Sequence, residues 1–432
     1  MWLRAPCVPR HPAGLNRPFL PVRPECALDY SRCGCQITVG SRPLSAVVGR
    51  TVEVEQRLTC LSLCTPGHPD WHTAPTARTY GCRRLGPIVS VVCGPCDAGS
   101  VIERAIDFER PRSMRCGSCR RVWRVNAEWL NLFDQALESC PDCGTDCQSE
   151  DRPNFCAEQD DAAHDDSLVR ELYWYHSSTH ANWPAKDFDP TALLTDVTKQ
   201  RMRAVGCGGG GLERWAERQR TKALHIGTYE SAIENMFRRM RDQDGSAEQF
   251  YLYRVRLSPD CVIEAGVHQE PTDFVGDARL ADVCGPGVNT FRYVNTHEDP
   301  SSVSLAIEVD AIHAVQRISV PLPVHAADSW VLDATSRLLD VASRPAPLPR
   351  SALERMRRQM LSALAVEARR LETEISARLP LALRDRFHAA FEETSFDADP
   401  GAFPAKLLGL ARLVTNPQAV IGSLDSEPWR DV

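Results

Sequence analysis

Two pairs of cysteines constrain the fold of this chain more than any other feature of its sequence. Cys116 and Cys119 form one Cys-x-x-Cys turn, Cys140 and Cys143 form another, and twenty residues separate the two turns. Each turn lets two thiolates face one ion at about 2.3 Å, and two such turns complete a tetrahedral sulfur site. The spacing therefore predicts a structural zinc ion held by these four cysteines.

The sequence around the second turn resembles a known zinc module. It reads CPDCG, and Pro and Gly placed in this way resemble the knuckles of zinc-ribbon proteins over about thirty-five residues. A third pair, Cys93 and Cys96, lies at almost the same spacing before the first turn, so either neighbouring pair can close the site. Cys147 and Cys156 can contribute to a second site.

A redox role for the cysteines is the weaker alternative. The run IVSVVCGPC resembles the redox turn of thioredoxins, but the residues after it do not supply the other strands and helices of that fold. Eighteen cysteines in a long chain without an apolar export signal indicate metal binding rather than disulfides. No apolar stretch reaches the length of about 18 residues that a membrane span needs. We therefore expect a cytoplasmic protein with no membrane contact.

Charge is segregated along the chain, although its formal net value is only −7. Residues 110–124 hold six arginines and no acid, whereas residues 142–166 hold nine acids and one arginine. A basic patch attracts phosphates, and an acidic run is typical of a solvated linker. The arginines are candidates for contact with nucleic acid, and a merely solvated surface is the alternative. They are Arg110, Arg112, Arg115, Arg120, Arg121 and Arg124.

Composition and hydrophobic periodicity divide the chain into six predicted segments. The segments are an irregular N-terminal region (1–86), a zinc ribbon (87–150), an acidic linker (151–166), an α+β domain (167–320), a helix with a Pro-rich linker (321–350) and a helical C-terminal domain (351–432). Apolar residues at steps of three and four from Leu353 to Ile375 predict an amphipathic helix in the last segment.

The middle segment alternates strand-like runs with one clear helix. The strand-like runs are ELYWYHSS, KALHIGT, QFYLYRVRL, TFRYVNT and SVSLAIEV, and the helix is TYESAIENMFRRMRDQ. The glycine-rich stretch VGCGGGGLERW predicts a mobile loop, and it lacks the frame of a phosphate-binding fingerprint. The pattern indicates an α+β fold.

Three short motifs in this segment together resemble an enzyme superfamily. His176 ends the run YWYHSST, Tyr229 lies at a strand-to-helix junction in ALHIGTYESAI, and Glu298 precedes a strand in FRYVNTHEDPSSVSLAIEV. Their order resembles the His-Tyr-Glu pattern of the ADP-ribosyltransferase superfamily, in the branch of diphtheria-like toxins and poly(ADP-ribose) polymerases. The resemblance covers residues 167 to about 320 and implies a mixed or antiparallel split-sheet domain that uses NAD as a substrate.

The resemblance also implies a role for each residue. His176 would hydrogen-bond the ribose of NAD, Tyr229 would stack on nicotinamide, and Glu298 would hold the nicotinamide ribose while the glycosidic bond breaks. A carboxylate suits the last role because it opposes the positive charge of an oxocarbenium-like sugar. The implied NAD-binding set is His176, Ser177, Ser178, His225, Gly227, Thr228, Tyr229 and Asn295.

Departures from the family pattern leave alternatives open. Family members commonly have glycine after the first histidine, whereas this chain has Ser177. The motif LHIGT therefore competes for the same role through His225, Gly227 and Thr228, and the Tyr229 assignment fails if that motif has the role. Glu270, Asp273 and Glu308 compete with Glu298 in the same way.

The first hypothesis is a mono-ADP-ribosyltransferase, as in a bacterial toxin or defence effector, that modifies a protein or a nucleic acid. It requires His176, Tyr229 and Glu298 to line one cleft. The alternative is a zinc-ribbon protein that binds nucleic acid or acts as an adaptor without catalysis. Transfer of a 2′-phosphate, or other NAD consumption in the same cleft, is a third and minor hypothesis.

Overall fold

The structure, a computed structural model, describes most of the chain after residue 100. The described ranges are 101–204, 210–245, 247–271, 278–325, 327–344, 351, 353, 362–391 and 395–432. The predictions for residues 1–86 and for the pair Cys93 and Cys96 lie outside these ranges. Within them, no helix combines the length and apolar character needed to cross a membrane.

A small three-stranded antiparallel sheet begins the described chain. Its strands are β1 (Arg112–Arg115), β2 (Val122–Val125) and β3 (Asn154–Phe155), in the order β2-β1-β3, and helix α1 (Ala127–Asp134) follows β2. The pairing of β3 with β1 places part of the 151–166 segment inside the sheet, where an acidic linker was predicted. A short 3₁₀ helix, Ala162–His164, orders more of the same segment.

Two further antiparallel sheets form the middle of the chain. Their strands are β4 (Trp174–Ser178), β5 (Leu224–Ile226), β6 (Phe250–Leu257), β7 (Thr290–Val294), β8 (Val303–Ile307), β9 (Ile312–Val320) and β10 (Arg430–Asp431). One sheet has the order β10-β9-β6-β4 and the other has the order β5-β8-β7. The five runs predicted as strands correspond to β4 to β8, whereas β9 and β10 were not predicted from the sequence.

A single bridge joins the two sheets. The backbone N–H of Tyr175 donates to the carbonyl of Gly227 at 2.9 Å, and the reverse bond is 3.0 Å long. Beyond this bridge β4 stays in the four-stranded sheet and β5 stays in the three-stranded sheet. The two sheets therefore meet along β4 and β5 and separate on either side.

Helices lie on both sides of these sheets. They are α2 (Asp196–Ala204), α3 (Gly211–Arg220), α4 (Tyr229–Asp242), α5 (Leu280–Val283), α6 (Ser329–Ser343), α7 (Ala363–Ser376), α8 (Leu381–Ala389), α9 (Ser395–Ala398), α10 (Phe403–Thr415) and α11 (Pro417–Asp425). The predicted helix of the middle segment is α4, whose N-terminus is capped by the Thr228 hydroxyl accepting from Ser231 N. Of the stretch predicted as a loop, residues 205–209 lie outside the described ranges, and its second half forms the start of α3 at Gly211.

The described residues form three hydrophobic clusters, and the two larger ones organise most of these elements. The first lies between the four-stranded sheet and helices α4, α6, α7, α8 and α10, where Phe237 and Phe387 meet edge to face at 5.4 Å. The second lies between the two sheets and contains Trp174, Tyr253 and Leu305. The prediction of an α+β fold with antiparallel sheets and a C-terminal helical region is confirmed. The C-terminal helices share the core of the sheet rather than packing by themselves.

Candidate functional site

The four predicted zinc ligands converge at one end of the small sheet. Their sulfur atoms all lie within 4.8 Å of one another, with Cys116 and Cys143 at 3.6 Å and Cys119 and Cys140 at 3.5 Å. Sulfurs around a tetrahedral zinc ion at 2.3 Å are separated by about 3.8 Å, so the four thiols fit that ion. The prediction that these cysteines can hold one metal is confirmed.

Local backbone geometry shapes each of the two turns. In the first, Cys116 N donates to Arg121 O at 2.9 Å, which continues the β1–β2 hairpin. In the second, Gly144 has φ of +72° and donates its N–H to Cys140 O at 2.9 Å. A left-handed residue is needed at that point, which explains the glycine that follows CPDC.

A buried ion cluster links the small sheet to the turn between β7 and β8. The Asp299 carboxylate is fully buried and lies 2.8 Å from Arg110 and 2.7 Å from Arg112. It also accepts a 2.6 Å hydrogen bond from Thr228 Oγ1. Removing one partner of such a buried pair costs about 3 to 5 kcal/mol, so this contact fixes the turn.

Two hydroxyl bonds strengthen the same link. Ser301 Oγ accepts from Ser113 N at 3.0 Å and donates to Ser113 O at 2.9 Å. Asp299 and Ser301 have φ values of 51° and 72°, which are uncommon for residues other than glycine. Surrounding contacts must hold such a backbone in place, and β1 supplies several of them.

The arginines predicted to contact nucleic acid are largely paired within the protein. Arg110 and Arg112 point inward to Asp299, Arg121 pairs with Asp142, and Arg124 lies 3.0 Å from Asp160. The basic and acidic runs that are separate in sequence thus neutralise each other in the fold. Arg115 and Arg120 are exposed.

A second group of polar side chains lies where helix α4 covers the ends of β4 and β5. Glu298 Oε1 accepts from Arg238 Nε at 2.6 Å and from Asn235 Nδ2 at 3.3 Å. Asn235 Oδ1 lies 3.4 Å from Ser177 Oγ. We call this group the polar cluster. Its members are Ser177, His225, Asn235, Arg238, Tyr293 and Glu298.

His225 contributes an imidazole with one free nitrogen. Its Nδ1 lies 2.9 Å from Tyr293 Oη, whereas Nε2 is buried and has no hydrogen-bond partner among the described residues. Burial lowers the pKa of His225 from 6.5 to about 4, and the nearby Glu298 carboxylate opposes that shift. The ring is therefore neutral at pH 7, and its Nε2 can bind a ligand hydroxyl.

His176 lies on the opposite face of β4 from the polar cluster. Its ring stacks on Trp183 with a centroid distance of 4.0 Å, on the side of the core between the two sheets. Its Nδ1–H donates to His225 O at 2.8 Å. Burial, with a further contribution from Arg239, lowers the pKa of His176 to about 3. Successive strand residues face opposite ways, which explains why Ser177 joins the cluster and His176 does not.

Tyr229 lies in the first hydrophobic core. Its ring meets Tyr175 at 5.4 Å and Phe108 at 6.1 Å, both edge to face, and its hydroxyl donates to Leu413 O at 2.7 Å. The side chain is 2% exposed. A ring that stacks on nicotinamide needs an open face, and the structure does not bring Tyr229 to the polar cluster.

The remaining predicted NAD contacts line the same region in structural roles. Ser178 Oγ accepts from His180 N at 3.1 Å, and the Asn295 side chain accepts from Glu298 N at 2.9 Å, so Asn295 shapes the turn. A Cβ on Gly227 would come within 2.3 Å of Ser231 Oγ. The absence of a side chain at Gly227 therefore allows β5 to approach the start of α4.

Glu298 thus contacts Arg238 and Asn235 and acts electrostatically on His225, whereas no described contact joins it to His176 or Tyr229. Of the competing acids, Glu270 bonds Thr296, Glu308 is exposed at the end of β8, and Asp273 lies outside the described residues. Asn235, Arg238 and Tyr293 were not predicted as site residues from the sequence. The spacing of three between Asn235 and Arg238 on a predicted helix was the one available signal for the first two.

The lowered pKa of His225 predicts a pH-dependent contribution to stability. Because the folded pKa lies below the unfolded value of 6.5, the contribution is present above pH 6.5 and is lost as pH falls toward 4. From pH 7 to pH 5 the loss is about 2 kcal/mol. Urea unfolding of the wild type and of His225→Gln should show their difference in unfolding free energy shrinking by that amount. An equal difference at both pH values would show that the ring is not buried in its neutral form.

Comparison with known proteins assigns no family to this chain. No family model matches it, and neither a curated protein nor a solved structure matches it. Its function is therefore inferred from the side chains described above.

Proposed function

We propose that this chain is an ADP-ribosyltransferase that cleaves NAD in the polar cluster. One observation carries the proposal: a Glu298 carboxylate fixed by Arg238 and Asn235 acts on His225, whose Nε2 is buried and unpartnered. A carboxylate and a neutral imidazole beside each other can hold a ribose and oppose a positive charge on it.

The proposed reaction separates the nicotinamide ring from the ribose. The C1′–N bond breaks, its electron pair leaves with nicotinamide, and the sugar becomes oxocarbenium-like. Glu298 stabilises that charge, and a preorganised group of this kind lowers a barrier by about 3 kcal/mol. A nucleophilic atom of the acceptor then forms the new bond to C1′ and loses its proton.

His225 replaces His176 as the ribose ligand in this proposal. Its Nε2 is the unpartnered atom, and it lies in the field of Glu298. His176 supports it indirectly, because the Nδ1–H of His176 holds the backbone carbonyl of His225. The competing motif LHIGT thus supplies the imidazole, and Tyr229 has no stacking role.

Arg238 has two roles in the proposed cycle. Without NAD its guanidinium covers Glu298 at 2.6 Å. When NAD binds, the guanidinium turns from the carboxylate to the pyrophosphate, whose two charges compete with one carboxylate for the same fork of donors. Glu298 is then free to face the ribose.

The arrangement of the sheets also supports the proposal. Two antiparallel sheets that meet at one bridge and then separate are compatible with the split-sheet domain that the family resemblance implies. His225 lies two residues before the bridge residue Gly227, and Ser177 lies two residues after the bridge residue Tyr175. Because the strands run antiparallel, both residues lie on the same side of the bridge. The proposed site lies where the sheets separate.

The experiment that tests the proposal is direct. The purified full chain is incubated with NAD that carries a label in its adenosine half, alone and with cell lysate. We expect release of nicotinamide and transfer of label to a macromolecule, which nuclease and protease treatment then identifies. Absence of both nicotinamide release and label transfer would overturn the proposal and favour a zinc-ribbon adaptor without catalysis.

A further inference from the structure

The hairpin of helices α2 and α3 forms a basic groove on the surface. It lies between β4 and β5 in the chain and is separate from the polar cluster. One cavity of about 690 Å³ is lined by residues of α2 and α3, and another of about 510 Å³ is lined mainly by α3. The lining of the larger one, which we call the α3 groove, includes Arg201, Met202, Arg214, Trp215 and Arg218.

The groove carries an excess of positive charge. Residues 196–222 hold seven Lys and Arg against three Asp and Glu, in a chain whose net charge is −7. Arg201 and Arg218 are exposed, and no described acid pairs with either of them. Arg121 and Arg124 of the ribbon differ in this respect, because each already faces a carboxylate. Arg201 and Arg218 can therefore meet phosphates without first leaving a carboxylate, whereas Arg121 and Arg124 cannot.

An indole lies among these cations. Trp215 is half-buried in the groove beside Met202, and no described aromatic ring stacks on it. A flat apolar surface between guanidinium groups suits a base that is unstacked from its neighbours while its phosphates lie on the arginines. An acidic peptide would satisfy the charges but would leave the indole unused.

We propose that the α3 groove binds single-stranded nucleic acid, with phosphates on Arg201 and Arg218 and a base stacked on Trp215. Single strands are favoured over a duplex because stacking on a side chain requires an unpaired base. The inference concerns binding alone, so it stands or fails separately from the proposed cleavage of NAD. If both hold, the groove delivers a nucleic-acid acceptor to the enzyme.

The test measures binding of the full chain to fluorescein-labelled oligo(dT) and oligo(rU) of about 15 nucleotides by anisotropy. Affinity should fall between about 50 and 200 mM salt, with a logarithmic slope of about −0.7 for each phosphate neutralised. Arg201→Ala combined with Arg218→Ala should weaken binding at least about tenfold and make the slope shallower by about 1.4, since two phosphate contacts are lost. Trp215→Leu should weaken binding at least about fivefold, whereas Trp215→Phe should retain most of it.

The matched control combines Arg121→Ala with Arg124→Ala, which removes two arginines that are already paired. This control should bind like the wild type. Absence of binding at the lowest salt, loss of binding in the control alone, or equal displacement by poly-glutamate would overturn the inference. Far-ultraviolet circular dichroism of each variant checks that the helical content of the chain is unchanged.

Discussion

Glu298→Gln is expected to slow the release of nicotinamide by about 100-fold or more, with little change in the affinity for NAD. Glutamine has the shape of glutamate and can still accept from Arg238, so the turn should keep its conformation. What it lacks is the negative charge that opposes the sugar cation, and loss of one preorganised group of this kind costs about 10² to 10³ in rate. Because the charge acts mainly on the transition state, kcat should fall and KM should change little.

Two matched variants test whether the effect belongs to this position. Glu308→Gln and Glu270→Gln make the same chemical change at the two described acids that compete with Glu298 in the sequence. Glu308 is exposed at the end of β8, and Glu270 bonds Thr296. Both variants should retain most of the activity, and all three should unfold at similar urea concentrations. If Glu270→Gln or Glu308→Gln loses activity instead, the assignment of the catalytic carboxylate to Glu298 is wrong.

Much of the fold was predictable because its signals are local. Strands β4 to β8 carry the alternating or continuous apolar runs that fit a pleated, half-buried surface, and α4 has both a cap and a helical period. Each Cys-x-x-Cys turn was predictable as a pair of ligands from its spacing, although the similar spacing of Cys93 and Cys96 left open which pairs share an ion. β9 was missed because its residues, IHAVQRISV, alternate without a turn signal before them.

The candidate site was less predictable because it depends on distant residues and on the direction of each side chain. Asp299 meets Arg110 and Arg112 across almost two hundred positions of sequence, and no local pattern shows that pairing. The sequence likewise suggested a histidine at the end of β4, but not which face of the sheet it would occupy. That face is decided by the packing of Trp183 against His176, which only the assembled core provides.

Loss of the metal is expected to disorder the small sheet. Strands β1 and β2 have four residues each, β3 has two, and helix α1 has no fully buried residue. A hairpin of this size is marginal in water, and a structural zinc ion contributes on the order of 10 kcal/mol to the folding of small modules. Cys116→Ser should therefore lower the zinc content by one ion per chain and expose the amides of β1 and β2 to hydrogen exchange.

Cys116→Ser is also expected to disturb the position of Glu298 in the polar cluster, because contacts from β1 fix the turn that carries Glu298. Without an ordered β1, Arg112 no longer neutralises Asp299, and Ser113 no longer binds Ser301. Residues 298–301 should then exchange faster, and nicotinamide release should fall at least about tenfold, as expected when a catalytic group is misplaced by about 1 Å.

Cys284→Ser is the matched control, since this thiol lies outside the metal centre and should leave zinc content, exchange and activity unchanged. Equal zinc contents in the Cys116→Ser variant and the wild type would show that the metal has other ligands. If the Cys116→Ser variant loses zinc but exchanges faster only at residues 112–125, the assignment of the metal ligands is supported. The coupling of the metal centre to Glu298 is then refuted. Because hydrogen exchange needs no NAD, the coupling can be judged even if the proposed reaction is wrong.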